Sequence, residues 1–183
     1  MKVSLAHLPH ISSRIAVDLN RSGLVTMTHG LEATAHEAEK ILIESVKREM
    51  ALEEKVKEIV NANEDQIDYY LADERQLFFM IKKKLAPDFG VILSYEDRYS
   101  DIAHKILDIL YEEDLIHYDV SENRIKNIIY DAITTFIADT SEIENAVYEK
   151  IKSYKRRMIP GTDEYEILYE KLYKDELARR GMA

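Results

Sequence analysis

The chain has 183 residues, of which 46% are hydrophobic, 9% aromatic and 33% charged, with five Gly, three Pro, no Cys and no Trp; this is the profile of an ordered, highly charged protein of one or two domains. Twenty-five Lys and Arg against 35 Asp and Glu give a formal charge of −10, which argues against a protein wholly dedicated to nucleic acid or anionic membrane surfaces. The lack of cysteine excludes disulfides, thiolate metal sites and thiol nucleophiles, and so few Gly and Pro leave little material for tight turns or glycine-rich phosphate loops.

The first residues, Met1 to His10, lack the apolar region of a signal peptide, and no run of about 18 to 20 apolar residues occurs, so a cytoplasmic protein without a membrane role is expected. Abundant Glu and Lys, with Gln only at 66 and 76, lean toward a thermophilic source. A first helix is expected over residues 5–22, with Pro9 near its beginning. Leu24-Val25-Thr26-Met27 then reads as a packed turn in preference to a minor strand.

A long helix is predicted from near Thr34, whose hydroxyl would accept the Glu37 amide while the Glu37 carboxylate reaches back. It should run to about residue 62, roughly 40 Å at 1.5 Å per residue, with Ala38, Ile41, Leu42, Val46, Met50, Val56 and Val60 as its apolar positions. A shorter helix starts near Asp73 and ends before Gly90.

In the second half, Ser94 with Asp97 caps a helix over roughly 95–113, and Leu115-Ile116-His117-Tyr118 is again read as a turn. A second long helix, from residue 122 to about 158, is marked by Ile125, Ile129, Ala132, Phe136, Ile143, Val147, Ile151, Tyr154 and Met158. Asp139-Thr140-Ser141 with Glu144 is a rival start signal and allows a kink or break there. Pro160-Gly161 punctuates the chain before a last helix that starts near Thr162 and ends before Gly181.

The two halves repeat one pattern. Ile11, Ile15, Ala16, Leu19, Leu24 and Val25 match Ile102, Ile106, Leu107, Leu110, Leu115 and Ile116 at a shift of 91. A shift of 87 pairs Ala38, Ile41, Leu42, Val46, Met50, Val56 and Val60 with Ile125, Ile128, Ile129, Ile133, Ile137, Ile143 and Val147. Leu77, Phe78, Ile81, Lys83 and Gly90 then line up with Leu168, Tyr169, Leu172, Lys174 and Gly181, again at 91. The expected fold is all-α: an elongated bundle of two helix, long helix, helix repeats, residues 1–90 and 91–183, interdigitating as one folding unit. Two copies can bury each other's exposed stripes as a symmetric dimer would, so a monomer with internal pseudo-twofold symmetry is expected, its long helices extending beyond the bundle.

An N-terminal helix ending in Ser22-Gly23-Leu24-Val25, a long acidic amphipathic helix, and Leu77-Phe78-Phe79-Met80-Ile81-Lys82-Lys83-Lys84-Leu85-Ala86 closing at Phe89-Gly90 together carry a resemblance. The chain resembles the bacterial family called domain of unknown function 507 over its whole length, most closely in the first half and at Met80 to Ala86. The resemblance implies the two-copy form, since members of about half this length exist, in which self-association could supply what the second copy supplies here. The second half departs from the pattern, with Glu170-Lys171-Leu172-Tyr173-Lys174 in place of Met80-Ile81-Lys82-Lys83 and its neighbours, which weighs against any role that needs both basic triplets. No activity comes with the resemblance.

Charge is segmented: +2 for residues 1–30, −7 for 31–75, +2 for 76–90, −9 for 91–145, +4 for 146–159 and −2 for 160–183. Two basic islands stand out, Lys82, Lys83 and Lys84, and Lys150, Lys152, Lys155, Arg156 and Arg157. They are candidates for gripping phosphates or another macromolecule, against the plainer use of neutralising acidic neighbours or a helix C-terminus. His7 and His10 lie three apart but have no evident third ligand, and Glu53-Glu54 and Glu112-Glu113-Asp114 read as solvated faces. Asp114, in the place matching Gly23, should mark a helix end. Tyr148, Tyr154, Tyr165 and Tyr169 are spaced for packing between helices. No Gly-x-Ser-x-Gly, phosphate-loop, dinucleotide or His-Glu-x-x-His motif is present, so no catalytic residue, cofactor or metal is nominated. The sequence points to a non-enzymatic interaction or scaffold protein with an unknown protein partner, and alternatively to a nucleic-acid-associated protein using its basic islands.

Overall fold

The computed structural model describes residues 3–63, 73–154, 156, 159 and 162–180. Among these the chain is all-α, with six α-helices: α1 (Leu8–Arg21), α2 (Gly30–Ala62), α3 (Glu74–Leu85), α4 (Tyr95–Glu112), α5 (Glu122–Lys152) and α6 (Asp163–Arg179). Single 3-10 turns precede α1 (Leu5–His7) and follow α3 (Ala86–Phe89), and two short strands, β1 (Thr26–Met27) and β2 (Ile116–His117), follow α1 and α4. The residues fall into two compact units, one up to Thr134 and one from Thr135 onward, so that α5 contributes to both.

In the first unit α1, α3 and α4 all pack on α2. Pro9 sits in the first turn of α1, where its missing amide costs no hydrogen bond, and Leu8, Ile11, Ile15 and Leu19 bury one face of that helix. The helix α2 begins one turn earlier than Thr34. That hydroxyl is buried inside the helix and donates to the Gly30 carbonyl at 3.0 Å, so the expected reciprocal cap with Glu37 does not form; Glu37 instead meets Lys40. The core stripe of α2 also differs from the expected one. Leu42, Glu49 and Val56 are buried, whereas Met50 is exposed. Seven residues make about two helical turns, which keeps positions 42, 49 and 56 in line and carries position 50 round toward solvent.

The stretches after α1 and α4 are not separate turns. They pair with each other as antiparallel strands, Thr26 opposite His117 and Met27 opposite Ile116, and the Thr28 amide donates to the Leu115 carbonyl at 3.1 Å. The helix ends that lead into them share one geometry. Gly23 has φ 66° and Asp114, 91 positions later, has φ 58°. The amides of Ser22 and Glu113 donate to the carbonyls of Asp18 and Ile109, and those of Gly23 and Asp114 to the carbonyls of Asn20 and Tyr111.

The other end of α2 forms a second core with α3. Leu52, Val56, Val60, Ala86 and Val91 are buried there, with Leu77, Phe78, Ile81, Leu85 and Phe89 packed against them. The α3 N-terminus is held by Asp73, whose carboxylate accepts from the amides of Arg75 and Gln76, and Pro87 helps convert its far end into the 3-10 turn that closes at Gly90.

In the second unit α5 is unbroken through Asp139-Thr140-Ser141. The Thr140 hydroxyl is buried and donates to the Phe136 carbonyl at 2.8 Å, so it is satisfied inside the helix and does not start a new one. The helix ends at Lys152, short of the expected position near 158. Ile143, Val147, Ile151 and Leu172 form the core, with Tyr165, Tyr169 and Tyr173 of α6 packed against it and stacked on one another at 6.2 and 6.0 Å. Tyr148 and Tyr154 do not join them; both are exposed. Thr162 caps α6 by accepting the Tyr165 amide. Near the other end of α6, buried Glu176 accepts from Arg179 and Arg180, and Arg180 reaches Glu142 on α5 at 2.9 Å.

Candidate interaction face of helix α3

The helix α3 is the short helix richest in large apolar residues, and only part of its surface is used by the core. Leu77, Phe78, Ile81 and Leu85 face α2. At about 100° per residue, Gln76, Phe79, Met80 and Lys83 fall together on the opposite side, within a stripe about 100° wide. Phe79 is 61% exposed and Met80 69%; Lys83 and Lys84 are also exposed. The Phe79 ring meets Phe78 edge to face at 6.1 Å, which ties the outer ring to one anchored in the core.

The basic triplet is split by the helix. Lys82 turns to the flank, where its ammonium donates to Glu53 at 2.9 Å and to Glu49 at 3.2 Å. Arg98 at the start of α4 completes the cluster: its guanidinium donates to both Glu49 oxygens, at 2.7 and 3.4 Å, and through Nε to the Ile92 carbonyl at 2.7 Å. Burial alone would raise the Glu49 carboxyl, but the hydrogen bonds and charges of Arg98 and Lys82 hold it below the usual range. Burial likewise opposes a charged Lys82, yet Glu53 and Glu49 hold its ammonium above the ordinary lysine value. Lys82 thus fixes α3 to α2, and Glu53 is its partner, not a solvated face as the sequence suggests.

Over residues 1–182 the chain matches the family described as "Protein of unknown function (DUF507)". The chain belongs to the DUF507 family. No curated protein matches it.

The second basic island of this DUF507 chain lies in the other unit. Lys150 and Lys152 are exposed in the last turn of α5, where positive charge complements the helix dipole. Lys152 lies 3.7 Å from Glu149 and over the Tyr148 ring. Arg156 pairs with Glu164 at 2.8 Å, while Lys155 and Arg157 lie outside the described residues. Glu112, Glu113 and Asp114 are exposed, and no helix among the described residues is long and apolar enough to cross a membrane.

Sequence reasoning missed Glu49 and Arg98, whose partners are 33 and 49 residues away. One signal was present. Glu49 stands seven residues from both Leu42 and Val56, so it occupies a core position of α2 where an acid needs a buried cation.

Proposed function

We propose that this DUF507 chain is a non-enzymatic interaction or scaffold protein of the bacterial cytoplasm, which meets its macromolecular partner through the outward stripe of α3. The carrying observation is the pairing of exposed Phe79 and Met80 with Lys83 and Lys84 on a helix that the Lys82–Glu49–Arg98 cluster holds in place. A purely solvated stripe would be expected to carry charge where these two large side chains stand.

The chain is further read as a tandem duplication with pseudo-twofold symmetry. Thr26 pairs with its own counterpart His117, 91 positions later, and Met27 with Ile116, the counterpart of Val25, which is the antiparallel register found about a dimer axis. The matched left-handed residues Gly23 and Asp114 support the same reading. The counterparts of Phe79 and Met80 are then Glu170 and Lys171, both exposed on α6. The second copy thus keeps a charged stripe where the first has an apolar one.

The alternative is a nucleic-acid-associated protein, favoured by the absence of any acid between Arg75 and Pro87 and by the exposed Lys83, Lys84, Lys150 and Lys152. A photo-crosslinking residue at position 79, expressed in native cells and recovered with and without nuclease, tests both. A nuclease-resistant protein adduct supports the first reading. A nuclease-sensitive adduct replaces it with the second, and the absence of any adduct removes the face from the account.

A further inference from the structure

The face of α2 turned away from the core carries an ordered charge pattern. Leu42, Glu49, Val56 and Val60 mark the buried side. At about 100° per residue, a stripe about 100° wide on the opposite side holds Lys40 and Lys47 in its first half and Glu54 and Glu58 in its second, with Ile43, Met50 and Ala51 between. The four charged residues and Ala51 are exposed, and Met50 is 48% exposed. An open groove of about 490 Å³ lies along the first half, lined by Lys40, Ile43, Glu44, Lys47, Arg48 and Ala51. The two edges of the stripe reverse the order of sign: on one, Glu37 and Glu44 precede Lys55, and on the other Glu39 precedes Lys57. Lys40 meets Glu37, Arg48 meets Glu44 and Lys55 meets Glu58, but these are surface pairs within one helix, which compete weakly with a partner.

We propose that two copies of this chain pair through the outward faces of their α2 helices, antiparallel about a twofold axis near Met50. The face is separate from the α3 stripe, and neither reading depends on the other. Along the central row Lys40 faces Glu58 of the second copy and Lys47 faces Glu54. On the edges Glu44 faces Lys55 and Glu39 faces Lys57. The midpoints of all four pairs fall between positions 48 and 51, so one axis serves the row and both edges. A parallel pair would instead set lysine against lysine and glutamate against glutamate. At the axis Met50 of each copy enters the groove over Ala51 of the other, so that apolar burial and charge both favour the contact. The patch complements itself, so the contact is isologous and closes at two copies. Few large side chains take part, which makes the association weak, concentration-dependent and sensitive to salt.

Sedimentation velocity of the full, nuclease-treated chain over a concentration series tests this. The sedimenting species moves from one chain toward two as concentration rises and returns to one when salt is added. Lys40→Glu with Lys47→Glu makes the central row acidic throughout, and Glu54→Lys with Glu58→Lys makes it basic throughout, so each variant stays single. Mixing the two restores the pair, a result that a misfolded variant could not give. The register is read on the otherwise unaltered chain: a photo-crosslinker at position 54 joins two copies near Lys47, and its product is the chain's own copy, not a foreign partner. The proposal is overturned if the wild-type chain sediments as a single species at every concentration, if the crosslinker at position 54 never joins two copies, or if both charge-reversed variants associate as the wild type does. A single species in sedimentation, together with a foreign protein captured at position 79 in cells, overturns the pairing and leaves the α3 reading standing.

Discussion

Arg98 closes its guanidinium on the buried carboxylate of Glu49 across 49 residues of sequence, with contacts of 2.7 and 3.4 Å. The same carboxylate holds Lys82 of α3, so one acid on α2 anchors both the helix that carries the candidate face and the start of α4. Removing one partner from such a cluster leaves a buried charge uncompensated and typically costs about 3 to 5 kcal/mol. Glu49→Ala is therefore expected to lower stability by about that much, whereas Glu54→Ala, at an exposed site on the same helix, changes it by less than about 0.5 kcal/mol. Urea unfolding of both variants checks the contrast; equal midpoints would contradict it.

The pH dependence follows from the same groups. Glu49 is depressed below its ordinary value of 4.5, so its contribution is complete above that pH and is lost as pH falls through the folded value. Lys82 is raised above 10.5, so its contribution is complete below that pH and is lost as pH rises through its folded value. Tyr99 and Tyr173 are pushed up to about 12, Tyr99 by burial and then Tyr95, Tyr173 by burial and then Glu144. Tyrosines protonated more firmly in the folded chain than in the unfolded one make stability fall further between pH 10 and about 12. Unfolding midpoints across pH should show a plateau with losses on both sides, the acid loss being smaller in Glu49→Gln. An ultraviolet titration should show late-ionising tyrosines that become ordinary in urea.

Two residues at helix ends make opposite predictions. Gly23 and Asp114 both have positive φ, and nothing lies within 4 Å of a side chain added at Gly23. Gly23→Ala therefore costs backbone strain alone, roughly 1 kcal/mol, while Asp114→Gly relieves the same strain and leaves stability equal or higher. Thermal unfolding of the pair reads this directly, and a loss in Asp114→Gly would contradict it.

The exposed pair on α3 should be dispensable for folding. Phe79→Ser with Met80→Ser removes apolar surface that lies in water, so stability changes by less than about 0.5 kcal/mol, whereas Leu52→Ala in the core beneath it costs about 2 to 5 kcal/mol. If the serine pair destabilised the chain as much as Leu52→Ala, the α3 stripe would be a packing surface and not a docking one.

The helices were legible in the sequence because their signals are local. Ser94, Asp73 and Thr162 cap as their spacing suggests, and Pro9 starts α1. Where a signal had two local meanings, the competing use won. Thr34 and Thr140 bond back into their own helices, which removes one expected cap and one expected break. The pairing of β1 with β2 was hidden because it joins segments 91 positions apart and no local pattern distinguishes two paired residues from a turn. The candidate site was half legible. The Lys82 to Lys84 triplet stood out by charge, but which lysine turns inward depends on where the acids of α2 lie, and the flanking Phe79 and Met80 became notable only once Leu77, Phe78, Ile81 and Leu85 were seen to take the core side.

The most direct measurement is photo-crosslinking from position 79 in native cells, set beside the same residue introduced at the exposed position Glu54 as a surface control. Selective capture of one discrete macromolecular partner at position 79, reduced by Lys83→Glu with Lys84→Glu, is the expected result. Equal, nonspecific capture at positions 54 and 79 would contradict the assignment of α3 as the chain's interaction face.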